Sequence, residues 1–269
     1  MGNTAYIHGY TPEEQQRLVK QARFLGAAVF QNVDFSDQDR ILEVGCGVGA
    51  ETELLFEHFP HLQKITGIDR EEKQVRTARD RLKTWIAEGR FEALVADAKA
   101  LPFPAHQFDG AFICWILEHV PNPLDILKEA FRVLEPGGLI HIIEVNHDSF
   151  EAFPKSEVIT KAWEDFGKHQ EKLGGDPRIG PKLPELLRKS GFVNLRKFPA
   201  VLDSREYPHP GSHDLWDYFL ELIESSYASR GLDPNSPSAQ ALRSAFRANS
   251  QNEGGFLRYV SVSICAEKP

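Results

Sequence analysis

The chain has 269 residues, 41% apolar and 26% charged, a composition ordinary for a globular protein of one large domain or a domain with an appended cap. Its net charge of −8 with no basic block disfavours a nucleic-acid partner, which needs clustered Lys and Arg to meet phosphates. No run of 18 apolar residues occurs, so no membrane span is expected.

The opening "MGNTAYIHGYTPEEQQ" lacks the charged-then-apolar layout of a signal peptide. Tyr6 stands where a myristoylation pattern wants Ser or Thr. Pro12, with Glu13 and Glu14 beside it, opens a helix over residues 12–31 whose Leu18, Ala22, Leu25 and Val29 share a face. From residue 40 short apolar strands alternate with amphipathic helices. The pattern predicts strands at 40–45, 64–68, 91–95, 108–114 and 138–145. Helices fall near 50–58, 71–87 and 122–134. Strands apolar on both faces, separated by helices, imply a parallel sheet covered on both sides.

Residues 146–180 read as an insertion of one helix and a loop. A helix starting near Pro184 stops at Gly191, and a strand follows at 192–201. Residues 203–255 hold two helical patterns. One carries Trp216, Phe219, Leu220, Ile223 and Tyr227; the other opens on Ser236-Pro237 as cap and first residue. The last strand, 256–266, alternates Val260, Val262 and Ile264 with Tyr259, Ser261 and Ser263. Cys46, Cys114 and Cys265 are odd in number and far apart, which suggests free thiols in a reducing, cytoplasmic setting.

The chemistry concentrates in "ILEVGCGVGA", residues 41–50. Gly45, Gly47 and Gly49 allow a tight turn and let a ligand lie against main chain. In an open parallel sheet, ligands bind beyond the carboxyl ends of the strands. Gly45-x-Gly47-x-x-Ala50, with Asp69 further on, also fits a loose dinucleotide fingerprint, so a nicotinamide oxidoreductase is one reading. The acids argue otherwise. Glu43, Asp69 and Asp97 end three consecutive strands and form an acidic rim. Such a rim repels a pyrophosphate and suits a cationic ligand with ribose hydroxyls and an exocyclic amine.

With "ITGID", "ADAKALPFPAHQFDGAF", "LEHVPNPLDILKEAFRVLEPGG" and the closing "AEKP", the chain resembles a class I S-adenosylmethionine-dependent methyltransferase of the small-molecule, methyltransferase-11-like type. The likeness is strong over 40–145 and weaker over 180–202 and 256–269. It implies an α/β, Rossmann-like seven-stranded sheet of order 3-2-1-4-5-7-6, last strand antiparallel, with helices on both faces and a helical substrate cap. The implied layout is an arm or lid at 1–35, the donor-binding core at 36–145 and a cap insertion at 146–180. A core helix and strand at 181–202, a second cap insertion at 203–255 and the final strand at 256–269 complete it.

The resemblance implies S-adenosyl-L-methionine as cofactor, with S-adenosyl-L-homocysteine as product. Glu43 would orient the glycine loop and favour the methionine amino group. Gly45, Cys46 and Gly47 would pass close to the adenosine and methionyl parts. Asp69, with Arg70 beside it, would accept from the ribose hydroxyls. Asp97 would face the adenine amine, with the Ala98 N–H at the ring nitrogen. Ile113 and Cys114 would line the path to the methyl group, and Trp115 would wall the pocket. Tyr10, on an arm that folds over the cofactor as a lid, would pack near the methionyl end.

No catalytic base is marked in the sequence. His119 in "LEHV" recurs with unrelated acceptors by resemblance, which fits packing or loop anchoring. His147 is the better candidate for a pocket residue, and Tyr10 is a third. Glu13, Arg17 and Gln21 read first as helix surface, with contact to the donor's carboxylate or the acceptor as the alternative, and Asp109 reads as structural. Phe150, Phe153, Trp163, Phe166, Trp216, Phe219 and Tyr227 read mostly as cap packing around an apolar acceptor pocket. Arg178 and His213 are candidate polar anchors. The pairs His58/His61 and His209/His213 lack a third ligand, so no metal is expected. The expected partner is a small-molecule acceptor. A rival reading is a donor-binding protein of this fold without catalysis.

Overall fold

The computed structural model describes residues 6–206 and 215–269. Five parallel strands form the centre: β1 (Arg40–Val44), β2 (Lys64–Asp69), β3 (Phe91–Val95), β4 (Phe108–Cys114) and β5 (Leu134–Glu144). They lie in the order β3-β2-β1-β4-β5. The chain order reverses beside β1, so the loops after β1 and β4 open a crevice at their carboxyl ends. Ile41, Leu42, Ile65, Ala111 and Phe112 are fully buried because helices cover both faces.

The far edge holds β6 (Glu151–Phe153), β7 (Val193–Asp203) and β8 (Phe256–Glu267). β8 runs antiparallel to β5 and to β7, as the predicted seven-strand order requires, and its first residues also pair with β6. β6 is an eighth strand too short to show an alternation in sequence. The Pro136-Gly137-Gly138 turn lies within β5 as a bulge, and β4 skips from Leu134 to Leu139 in pairing with it. The buried Lys268 ammonium closes this corner by donating to the Phe131 and Leu134 carbonyls.

Helix α1 (Pro12–Phe30) is capped by the Thr11 hydroxyl, which accepts from the Glu14 N–H. After α2 (Ala50–His58), the predicted helix over 71–87 divides at Leu82 into α3 (Glu72–Arg81) and α4 (Lys83–Ala87). Leu82 is fully buried, and its side chain fills the space where a Cβ on Gly49 would lie. After α5 (Pro123–Val133) and α6 (Glu157–Lys172), α7 (Ile179–Lys189) begins five residues before Pro184. Proline reads as a start signal, yet here the helix begins after a turn in which the Asp176 carboxylate accepts from the Arg178 N–H and the Asp176 carbonyl from the Ile179 N–H. The buried stripe Ile179, Leu183 and Leu187 holds Pro184 in the second turn.

The cap consists of α6 with α8 (Leu215–Ser225), α9 (Tyr227–Arg230) and α10 (Pro237–Ser250). Ser236 caps α10 as expected, accepting from the Ala239 N–H. The break between α8 and α9 separates Tyr227 from the Trp216–Ile223 pattern.

Candidate active site

The crevice beside β1 continues into a cavity of about 510 Å³ that runs from the glycine loop to the cap. At one end, the Gly45 and Cys46 N–H groups both donate to the Ile68 carbonyl, at 2.8 and 2.9 Å. The Asp69 carboxylate accepts from the Gly47 N–H at 3.1 Å and from the Glu71 N–H at 2.9 Å. Asp69 thus ties the loop to the start of α3. Burial raises its pKa, and these two N–H groups oppose the rise. Gly45, Gly47 and Gly49 all have positive φ. A Cβ on Gly47 would meet nothing nearer than the Gly45 carbonyl at 4.0 Å, so this backbone faces open space.

Asp97 sits exposed at the rim, its carboxylate accepting from the Lys99 N–H, with Ala98 beside it. Arg70 reaches the Tyr10 hydroxyl at 3.2 Å, and the Lys73 ammonium donates to the Tyr10 carbonyl at 2.6 Å. These contacts dock the arm over α3.

Glu43, Cys46 and Ile113 stand apart from the other expected donor-site residues because they do not line the cavity. Strand alternation turns Val44 and Cys114 toward it and Glu43 and Ile113 away. Glu43 is buried and accepts from the Thr52 hydroxyl at 2.5 Å, behind the loop. Cys46 packs on Gly67, where a Cβ would come within 2.8 Å of its own. Asp109 is structural, accepting from the Asp39 and Arg40 N–H groups.

The other end lies under the cap. His119, His147, Trp115, Phe166 and Phe219 line it. Trp115 adopts φ 53°, a left-handed conformation unusual for a bulky side chain. Burial lowers the His119 and His147 imidazoles to about 3, and nearby positive charge adds to the effect. His147 lies among Trp163, Phe166 and Tyr259, with Nδ1 buried and unpartnered.

Arg17 and Gln21 are not helix surface. Both line the cavity, as the face of α1 that holds Glu14 and Gln21 turns inward. The Arg17 guanidinium donates twice to Glu14 and once to the Gln21 side-chain carbonyl, which also accepts from the Tyr218 hydroxyl. A stripe built from apolar residues alone conceals this network.

Glu118 escaped the sequence reading although it neighbours His119. It is 7% exposed, lines the cavity and accepts from the Gln170 amide. The carboxylate of Glu144 holds the same turn by accepting from the Ile116 and Leu117 N–H groups at 2.8 and 2.6 Å. Glu51, half-buried in the first turn of α2, also faces the cavity.

Among the cap aromatics, Phe150 stacks on Trp163, Trp216 meets Phe246 edge-on and Phe153 stacks on Phe256, so these pack the cap. Arg178 pairs with Asp148 and Glu171 and does not line the cavity. Glu13 is exposed. His58 stacks on Phe30, and His61 faces the Phe35 and Gln38 carbonyls. His209 and His213 lie outside the described residues. Among the described residues no group of side chains suits a metal ion, and no helix is long and apolar enough to cross a membrane.

Burial pushes Glu43 and Glu144 up to about 8 and Glu51 up to about 7. Their folded state binds protons that the unfolded chain releases above about pH 4.5. Their contribution to stability is therefore lost as pH rises through about 7 to 8. The depressed histidines act oppositely: their contribution is present above about pH 6.5 and is lost as pH falls. The free protein is expected to lose roughly 1–3 kcal/mol between about pH 6.5 and pH 8. Urea titrations at the two values check this; equal or greater stability at the higher pH contradicts it.

A doubly wound sheet with a glycine turn and an acid at its switch point defines an α/β domain of the kind that binds ligands beyond the carboxyl ends of its strands. Residues 42–142 match the methyltransferase domain family. That stretch, 101 of the 269 residues, is what is similar to a methyltransferase domain. The chain is 34% identical to the demethylmenaquinone methyltransferase of Lactococcus lactis over 166 residues, covering 57% of this chain and 65% of that protein. The match therefore spans slightly less than two thirds of that relative's length. It is 26% identical to the 27-O-demethylrifamycin SV methyltransferase of Amycolatopsis mediterranei, across 72% and 75% of the two chains.

The fold recurs in a Haemonchus contortus phosphoethanolamine N-methyltransferase, with TM-score 0.62 and 16% identity, over all of this chain and 61% of that one. It recurs also in the [4+2]-cyclase SpnF, with TM-score 0.56 and 22% identity, over 92% and 80% of the two chains.

Proposed function

We propose that this protein transfers the methyl group of S-adenosylmethionine to oxygen, nitrogen or carbon of a small, partly apolar metabolite. The observation that carries this is the single cavity that joins the Asp69-tethered glycine loop to a lobe walled by rings and imidazoles. The donor end fits an adenosyl sulfonium. Among the described residues the Asp69 carboxylate has only backbone N–H hydrogen-bond partners, leaving acceptor capacity for ribose hydroxyls. The bare Gly47 backbone admits a ligand at van der Waals distance. Asp97 and the Ala98 N–H stand at the rim for an adenine edge, and Tyr10 and Arg70 cover the opening.

Glu43 and Cys46 support the loop from behind, and Ile113 supports Cys114. The carboxyl groups of Glu51 and Asp69 favour positive charge and oppose a diphosphate at the start of α2, which counts against a nicotinamide cofactor. The bound donor supplies an activated methyl group. The protein's part is to hold the acceptor in line, exclude water and accept a proton where one must leave. Three free cysteines favour a reducing compartment such as the cytoplasm.

Thermal-shift and calorimetric titration test the donor. S-adenosylmethionine and S-adenosylhomocysteine are expected to raise Tm and to bind one per chain, whereas NAD leaves Tm unchanged. A larger shift with NAD, or none with either nucleoside, overturns the reading. The fold also occurs in a cyclase, so methyl release from labelled donor to an acceptor panel is the second measurement. Binding without any release favours the non-catalytic alternative.

A further inference from the structure

The arm places His8 inside the acceptor lobe, against cap helix α8. His8 is 8% exposed and lines the cavity. Its Nδ1 lies 2.6 Å from the Ser225 hydroxyl oxygen, and that oxygen lies 2.8 Å from the Leu222 carbonyl. A carbonyl can only accept, so a hydrogen bond from Ser225 to Leu222 takes the single hydroxyl proton. Both short contacts are then hydrogen bonds only if His8 Nδ1 carries the ring proton and donates to Ser225. Nε2 is left with its lone pair, and among the described residues no hydrogen-bond partner claims it.

We propose that His8 is the base that takes the acceptor's proton, and that the acceptor presents an acidic hydroxyl, phenolic or enolic, on a planar ring system. This rests on the methyl-transfer reading above. The other two imidazoles suit the role less. His119 Nε2 lies 3.6 Å from the Glu118 carboxylate, and His147 Nδ1 is buried with no hydrogen-bond partner among the described residues. His8 alone among these three has an orienting hydroxyl.

The arm also spans both ends of the cavity. Tyr10 meets Arg70 at the donor end, Gly9 turns the chain at φ 73°, and His8 faces the cap. The Ser229 hydroxyl fastens this stretch by donating to the Ile7 carbonyl at 2.5 Å.

The surroundings select the acceptor. Tyr6 packs edge-on to His8 at 5.2 Å, and Phe166 from α6 lies at 5.8 Å. Arg17 from α1, His119 after β4 and His147 after β5 are the titratable or charged groups that face it from other elements, with Ser225 from α8. Burial first, and then these groups, hold the imidazole well below its usual value. The Tyr6 and Phe166 rings beside the imidazole favour a planar acceptor, and a neutral imidazole takes the proton of a phenolic or enolic hydroxyl more readily than that of an aliphatic alcohol, which is far less acidic.

In the step, the acceptor O–H bond breaks, its proton goes to Nε2 and its electron pair stays on oxygen. That oxygen bonds the methyl carbon. The pair of the old carbon–sulfur bond leaves on sulfur, and the imidazolium later loses its proton to water.

The test uses the full chain with S-adenosylhomocysteine bound. Long-range proton–nitrogen-15 correlation reads the His8 tautomer near neutral pH, assigned by its loss in His8→Gln. The expected state is neutral, protonated on Nδ1, with Ser225→Ala shifting population to the Nε2–H form. An imidazolium, or an Nε2–H ring in the unaltered protein, overturns the proposal. This arm needs no acceptor.

The second arm follows labelled methyl from S-adenosylmethionine into catechol, 1-naphthol and 4-nitrophenol, beside cyclohexanol and aniline. Label is expected in the phenols, with His8→Gln lowering kcat by about 100-fold while donor KM stays within about twofold. Label only in cyclohexanol or aniline, label in none of the phenols, or an unchanged kcat overturns it. A protein that binds no S-adenosylmethionine instead defeats the methyl-transfer reading, a separate outcome that calorimetry registers.

Discussion

Asp69→Ala is expected to weaken S-adenosylmethionine binding by about two orders of magnitude, with the sheet intact. The carboxylate makes the 3.1 Å contact to the Gly47 N–H and the 2.9 Å contact to the Glu71 N–H, so its removal frees both the glycine loop and the start of α3. It also removes the acceptors assigned to the ribose hydroxyls. Hydrogen bonds to a charged group contribute about 1.5–3 kcal/mol each, so a loss of roughly 3 kcal/mol in affinity is the scale. Asp69→Asn separates the two effects. It retains an oxygen that can accept from Gly47 or Glu71 but lacks the charge, and it should recover part of the affinity. Calorimetric titration of the three proteins decides. Equal dissociation constants, with unchanged circular dichroism, would remove Asp69 from the donor site.

Gly45→Ala is expected to abolish donor binding and to lower stability by roughly 3 kcal/mol. Its φ is 76°, and a left-handed conformation costs an L-residue about 1–2 kcal/mol. The added Cβ would lie 2.2 Å from Ile116 Cδ1 and 2.4 Å from Cγ1. Overpacking of that kind costs about 1–3 kcal/mol when the neighbour cannot move. The backbone of Ile116 is held by Glu144, which accepts its N–H at 2.8 Å. The double variant Gly45→Ala with Ile116→Ala should therefore relieve the clash and keep only the backbone cost, about 1–2 kcal/mol. Urea unfolding measures both. If the single variant is as stable as the parent, the close approach of the β4 turn to the glycine loop is not a constraint.

Much of the core was legible because its signals are local. Strand–helix alternation, the bare run from Gly45 to Gly49 and the acid at Asp69 follow from the chemistry of adjacent residues and the folding rules of parallel sheets. The Ser236 cap was equally plain, since a capping hydroxyl bonds a backbone N–H three residues on. Less was visible where a residue's role depends on what packs opposite. Glu43 and Asp69 look alike as acids at strand tips. Alternation and the helix behind β1 bury Glu43 on Thr52, while Asp69 stays at the mouth. Arg17 and Gln21 carry surface chemistry, and only the arrival of Tyr218 from the cap shows that their helix face is interior.

Periodicity and glycine spacing by themselves determined the class of this protein: a parallel sheet with a ligand turn after its first strand. Those patterns recur every few residues and involve only short-range geometry. Which imidazole, carboxylate or guanidinium faces the cavity was decided by tertiary structure alone. His8 meets Ser225 across 217 residues of chain, and Glu118 meets Gln170 across 52. Such pairs leave no periodic trace, because their spacing is set by how the arm and cap fold back over the sheet.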